Sequence, residues 1–206
     1  ANMRGMLRRK PASVMRKARP VPCPPAPAAC RAPSDATFKA PPPLRGAADV
    51  AAVVAGLADG TIDAIATDHA PHAPEEKERP FDQAPPGMLG LEYALALAFT
   101  QLGDGAGGSD GRDGSGEPTM TDADVLGRLS WQPATIAGMD DHGGPVVAGA
   151  AANLCVVDPA VRWTIDGSGG APRSRNLPSA GRAGRGRVRH TICWGEAVVV
   201  DGEARR

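Results

Sequence analysis

Apolar residues at Val50, Val53, Val54 and Leu57 fall at the i, i+3, i+4, i+7 spacing of one helix face, and Gly60 follows as a stop. The spacing predicts an amphipathic helix. Directly after it, Ile62-Asp63-Ala64-Ile65-Ala66-Thr67 is mostly apolar and partly β-branched, too short for a stable helix, and reads as a buried strand that packs under that helix. The strand empties into Asp68-His69-Ala70-Pro71-His72. Pro85, Pro86 and Gly87 then predict a sharp turn into a helix from about 88 to 102, with Leu91, Leu95, Ala98, Phe99 and Leu102 on one side. Thr121 with Asp124 forms the pattern of a capping box for a short helix through Leu129, and Ser130 caps the next, with Pro133 in its first turn. From Gly149 the period changes. Short strands are expected at 153–158, 187–193 and 197–200, separated by turns rich in Gly, Pro and Asp.

Between these elements the pattern vanishes. Residues 1–35 hold no periodic apolar positions, and the run Pro20 to Pro27 excludes helix and central strand, so a disordered tail is expected. Residues 103–118, with Asp104, Asp110, Asp113 and Glu117 among glycines, read as a flexible insertion without calcium-loop spacing. Glu75 to Arg79 read as a solvated charged loop.

Composition narrows the function. The 206 residues are 42% hydrophobic, enough for a core. With 23 basic and 23 acidic side chains the formal charge is zero, which gives no field to draw nucleic acid or an anionic membrane. The first 34 residues are nevertheless basic, with eight Lys or Arg and no acid. Aromatic residues, at 3%, are too few for base stacking. No apolar run approaches the ~18 residues of a membrane span, the basic start lacks the apolar stretch of a secretory signal, and a cytoplasmic location is expected. Cys23, Cys30, Cys155 and Cys193 form no Cys-x-x-Cys pair; they read as free thiols, with Cys155 and Cys193 packed as small hydrophobes in strands.

Candidate chemistry gathers at the strand mouth. Side chains at the carboxyl ends of parallel strands converge on one site, so Asp68 and His72 can face a common ligand, and their donor atoms suit a divalent metal such as zinc. The alternative is a loop in which both groups only satisfy backbone amides. One carboxylate and two histidines in five residues cannot by themselves surround a zinc ion that wants four ligands. His142 and His190 stand isolated and read as surface or strand histidines.

Three motifs occur in order: Lys39-Ala40-Pro41-Pro42-Pro43-Leu44-Arg45, the run Ile62 to His72, and Ala84-Pro85-Pro86-Gly87-Met88-Leu89-Gly90-Leu91-Glu92. Together they resemble the C-terminal part of bacterial dihydroorotases of the amidohydrolase superfamily, with allantoinases and dihydropyrimidinases as similar relatives. Ser174-Arg175-Asn176-Leu177-Pro178 is similar to the family's Ser-x-Asn-x-Pro segment. The resemblance implies an α/β fold: the C-terminal part of a TIM-like (β/α)8 metal-dependent hydrolase barrel over 36–145, and part of a small flanking β domain over 146–206, behind the tail 1–35. A complete barrel takes roughly 250 residues, so the chain is expected to be the last third to half of such an enzyme.

The implied reaction is reversible hydrolysis of the cyclic amide of dihydroorotate to N-carbamoyl-aspartate in pyrimidine synthesis, with two zinc ions activating a hydroxide and polarising the amide carbonyl. By the resemblance, Asp68 binds one zinc and shuttles the proton from hydroxide to the leaving nitrogen, His72 holds the substrate carboxylate, and the backbone of Pro86-Gly87 lies against the substrate ring. The sequence departs from the family twice. Pro41 stands where relatives have an Asn that helps hold the substrate, and Pro86 removes one amide donor. The family's His-x-His pair is absent from a chain whose histidines are His69, His72, His142 and His190. Asp68 is thus the one recognisable metal ligand, and the chain alone is expected to turn over nothing. The alternative is a non-catalytic dihydroorotase-like subunit that supports a partner such as aspartate transcarbamoylase; a homo-oligomer is the other assembly expected.

Overall fold

The computed structural model of the chain describes residues 18–20, 35–103, 120–139, 141–167 and 170–205. The predicted first helix is α1, Ala47–Ala58, closed by Asp59, whose carboxylate accepts from the Thr61 amide at 2.8 Å and turns the chain toward the strand. That strand is β2, Ala64–Ala66, with Ala64 and Ile65 buried. Its partner is β1, Ala18–Pro20, which runs parallel to it in the register Ala18↔Ala64 to Pro20↔Ala66. This short strand corrects the expectation of disorder for those three residues; the rest of the tail lies outside the described residues. Proline is tolerated because, among the described residues, β1 has β2 alone as a strand neighbour. The charged run after His72 contains one helical turn, α2, Pro74–Lys77, where a plain loop was expected.

The predicted helix over 88–102 forms only as α3, Ala94–Leu102. Its first turn is lost to competing hydrogen bonds: Met88 bridges His69 in parallel, the Leu89 amide donates to Asn176 O at 2.9 Å, and the Gly90 and Leu91 amides donate to His69 Nδ1. Leu91, expected on the apolar face, is 66% exposed as a result. Two helices follow, α4, Asp122–Leu129, and α5, Trp131–Ala137. The capping box of α4 is complete: Thr121 Oγ1 accepts from the Asp124 amide at 3.1 Å, and the Asp124 carboxylate accepts from the Thr121 amide at 3.2 Å. Ser130 occupies the N-cap of α5 without a side-chain cap bond.

Leu57, Ile65, Phe99, Leu102 and Val125 lock α1, β2, α3 and α4 around one core. Each such side chain contributes about 1.5–3 kcal/mol by leaving water. The C-terminal strands are longer than their sequence pattern: β3, Leu154–Thr164; β4, Ala183–Cys193; β5, Glu196–Val200; and β6, Glu203–Ala204, in antiparallel order β3-β4-β5-β6. The extension of β3 passes through Pro159 because the ladder is irregular between Asp158 and Arg162. Cys155 and Cys193 lie in these strands but are exposed, which corrects their expected packing. A second core joins Leu89, Tyr93, Ile165 and Leu177, with Trp163 packed on it. Trp163 donates its indole N–H to Gly186 O at 3.1 Å and lies under the Arg187 guanidinium, 4.0 Å away.

Arg185 of β4 joins sheet to helices. It is 4% exposed, and its guanidinium donates to Phe99 O near the end of α3, to Pro159 O in the β3 irregularity, and to both carboxylate oxygens of Asp122 at the start of α4. Gly186 follows at φ +83°, and a Cβ there would drive into the Phe99 ring. We expect Arg185→Met to cost about 3 kcal/mol by removing the buried guanidinium from the Asp122 carboxylate and from Phe99 O and Pro159 O, read as a lower urea midpoint. Hydrogen bonds from the Thr121 hydroxyl and then its amide hold Asp124 below its ordinary carboxylate value. Asp124 therefore favours the folded chain above that ordinary value, and the contribution fades as pH falls through the lower folded-state value. Thr121→Ala should melt earlier than wild type near neutrality, with the gap narrowing below about pH 4 in thermal scans.

Candidate functional site

Asp68 lies two residues beyond the end of β2, exposed at the wall of a 230 Å³ cleft. One wall is Pro41 to Pro43 with Val50 and Val53 of α1; the other is Gly87, Met88 and Leu89 with Leu97 of α3. Arg45, Asp49, Asp68 and Ser179 add polar groups to these apolar surfaces. The Ser179 hydroxyl is buried and has no hydrogen-bond partner among the described residues. A small, mostly apolar cleft with a few polar groups fits a compact ring better than a polymer.

The loop after Asp68 is held by its own side chains. His69 Nδ1 accepts from the Gly90 amide at 3.3 Å and the Leu91 amide at 3.2 Å, so that nitrogen is unprotonated and faces backbone. His72 Nε2 donates to Pro86 O at 3.1 Å, and its Nδ1 lies 3.4 Å from the Glu76 carboxylate. The Ala73 amide first, and His72 second, hold Glu76 below the usual carboxylate range. Across the loop, Lys39 Nζ donates to Phe81 O at 2.6 Å and Lys77 Nζ donates to Pro85 O at 3.0 Å. Burial and the neighbouring Lys39 charge lower the Lys77 ammonium from its ordinary value. These two cations fix the segment that leads into Pro86.

Gly87 is the close-approach point. Its amide donates to Lys39 O at 2.8 Å, and its φ of +142° is one that side chains rarely adopt. A Cβ there would stand 2.7 Å from the Ala70 Cβ and 2.8 Å from His72 Nε2. Of the residues singled out by sequence, Asp68 and Gly87 line the cleft together, while His72 and the exposed Pro86 are bonded to each other behind Gly87. Pro41 also lines the cleft, as a proline wall in place of a side-chain amide.

The residue that sequence reasoning left without a role is Asn176. Its buried side chain accepts from the His72 amide at 3.2 Å and donates to Ala70 O at 2.9 Å and Gly87 O at 3.2 Å. The Ser-x-Asn-x-Pro pattern marked the position, but not its reach.

For a metal, the donor set is incomplete. Among the described residues no group of three or more His, Cys, Asp and Glu side chains comes together that could hold one. His69 Nδ1 is occupied by amides, and the carboxylates of Asp68 and Asp49 on the cleft wall fall short of the four ligands zinc wants. These residues do not build a zinc centre by themselves. His142 pairs with Asp141 at 2.9 Å and His190 Nδ1 accepts from the Asp201 amide at 3.3 Å, and neither histidine lines the cleft.

No model of a known protein family matches the chain. It is similar to the dihydroorotase of Streptomyces coelicolor, with 44% identity over 172 residues, covering 81% of this chain and 36% of that protein. It is also similar to the dihydroorotase of Anaeromyxobacter dehalogenans, with 41% identity over 169 residues, covering 82% of this chain and 36% of that protein. The chain thus spans about a third of the length of these relatives. Among solved structures, a D-hydantoinase (dihydropyrimidinase) from Thermus sp. superposes with a TM-score of 0.69 at 26% identity, over 82% of this chain and 35% of that one. An L-hydantoinase from Arthrobacter aurescens shares the fold with a TM-score of 0.68 at 24% identity, over 82% and 35% of the two chains. No helix of the described residues is long and apolar enough to cross a membrane.

Gly87→Ala combines an unfavourable φ with two close contacts, so it should destabilise the chain by more than about 1 kcal/mol. The check is a urea titration, with the His72 ring resonances moving in whatever fraction stays folded.

Proposed function

From the premise that this chain belongs to the dihydroorotase family of cyclic amide hydrolases, we propose that it forms one part of a site that opens a cyclic amide, with dihydroorotate and N-carbamoyl-aspartate as the reacting pair. The observation that supports this most is Asp68 at the mouth of β2, on the wall of a ring-sized cleft and across from the Gly87 turn. A carboxylate there can take a proton from an attacking water and return it to the ring nitrogen as the amide opens. Gly87, lacking a side chain, lets a flat ring lie against backbone.

His72 is proposed as the recognition group for the substrate carboxylate. Glu76 supports this reading, since its carboxylate sits 3.4 Å from His72 Nδ1, on the ring nitrogen that does not bond Pro86 O. A substrate carboxylate would exchange with Glu76. Arg45, on the cleft wall, is a second cation for the same group. A divalent metal would take Asp68 as one ligand and would supply Lewis-acid polarisation of the amide when bound. The remaining ligands, the closed TIM-like barrel, a second zinc and any partner such as aspartate transcarbamoylase belong to the proposal as a whole. The 206 residues alone are proposed to be inactive. A hydantoin or dihydropyrimidine ring is the second reading, favoured by the hydantoinase neighbours and by the apolar cleft walls.

The test is a graft. The chain's matching segment replaces the corresponding 172 residues of the Streptomyces coelicolor dihydroorotase, and hydrolysis of dihydroorotate is followed with zinc present. The graft should hydrolyse it, the isolated chain should not, and Asp68→Ala in the graft should lower kcat at least about 100-fold. A folded graft that is inactive, or an Asp68→Ala graft that is fully active, overturns the assignment.

A further inference from the structure

We propose that Asn176 is the positioning residue of this cleft, its carboxamide setting how far the loop that carries Asp68 stands from the turn that carries Gly87. Its significance for turnover rests on the cyclic-amide reading above. Its geometry does not. One Nδ2 hydrogen goes to Ala70 O at 2.9 Å, the other to Gly87 O at 3.2 Å, and Oδ1 accepts from the His72 amide at 3.2 Å. Its backbone carbonyl accepts from the Leu89 amide at 2.9 Å, so four bonds from one residue gather two segments that lie 104 and 89 positions away in the chain. Asn176 is 4% exposed, so water does not compete for these bonds.

The chemistry requires this side chain. Two donors and an acceptor on one short stem are found in asparagine alone. Aspartate has the same shape, but its carboxylate would face the oxygens of Ala70 and Gly87 and push them apart. Gly87 would then carry Pro86 O away from His72 Nε2, and Asp68, two residues before Ala70, would move from the opposite side. Asn176 lies between β3 and β4, next to Leu177 in the second core and just ahead of Pro178 and Ser179 on the cleft wall, so its amide ties the connection between those strands to both sides of the cleft. A misplacement of about 1 Å between reacting groups can cost about 100-fold in rate.

The test uses the full 206-residue chain and nuclear magnetic resonance, without substrate. In the wild-type protein the Asn176 carboxamide protons should exchange with water at least about tenfold more slowly than those of the exposed Gln83. Equal rates overturn the proposal without any variant. In Asn176→Asp the His72 ring nitrogens should lose the Nε2–H signature for the tautomer mixture of free imidazole, while the amide shifts of β4 and β5 stay in place. A folded Asn176→Asp chain with an unchanged His72 signature overturns it as well. In the active graft, Asn176→Asp should lower kcat about 100-fold with a much smaller change in KM. If the graft is inactive while both resonance signatures hold, the cyclic-amide reading fails and the positioning role stands.

Discussion

The fold turns on a guanidinium withdrawn from water. Arg185 carries its charge into a place where α3 ends and α4 begins, and both ends suit it: the terminal carbonyls of α3 present partial negative charge, and Asp122 brings a full one to the start of α4. The Phe99 ring lies 4.9 Å from the guanidinium carbon, so the cation also faces an aromatic surface. A fork of five N–H groups is what makes this possible, since a lysine could not satisfy Phe99 O, Pro159 O and both Asp122 oxygens in one plane. The joint is demanding in return. Desolvating the charge is repaid only while every donor has a partner, and Gly186 must stay bare for the Phe99 ring to fit.

From this joint the constraint passes to the cleft. Holding α3 against β4 sets where Tyr93 and Leu97 stand, and the second core of Leu89, Tyr93, Ile165 and Leu177 then fixes the connection between β3 and β4. Tyr93 donates its hydroxyl to Asp166 O at 3.2 Å on that same connection. Burial, with the Glu92 charge next, raises the Tyr93 phenol, which keeps it a neutral donor. The candidate site is therefore built from segments that the two cores hold together.

What the sequence made legible follows the range of the interactions involved. The face of α1, the short β2 and the Thr121–Asp124 box all depend on neighbours within a few residues, and their patterns are visible in the chain itself. Asp68 could be placed at a strand mouth for the same reason. The start of α3 could not, because residues 88–93 have helical spacing yet lose their amides to His69 and Asn176 across the fold. Arg185 was illegible too: it is one of several arginines, Arg182, Arg187 and Arg189 among them, in a glycine-rich run with no apolar period to mark it as buried. Cys155 and Cys193 misled in the opposite sense, since period-two apolar character does not say which face of a sheet is covered.

Trp163 gives the joint an optical label. Its indole sits between Arg187 and the second core, 6.5 Å from the Tyr93 ring, whereas Trp131 and Trp194 are exposed. Departure of the sheet from α3 would take the Tyr93 phenol away from Trp163 while Arg187, on the paired strand, stays with the indole, so intrinsic fluorescence reports the opening of that seam.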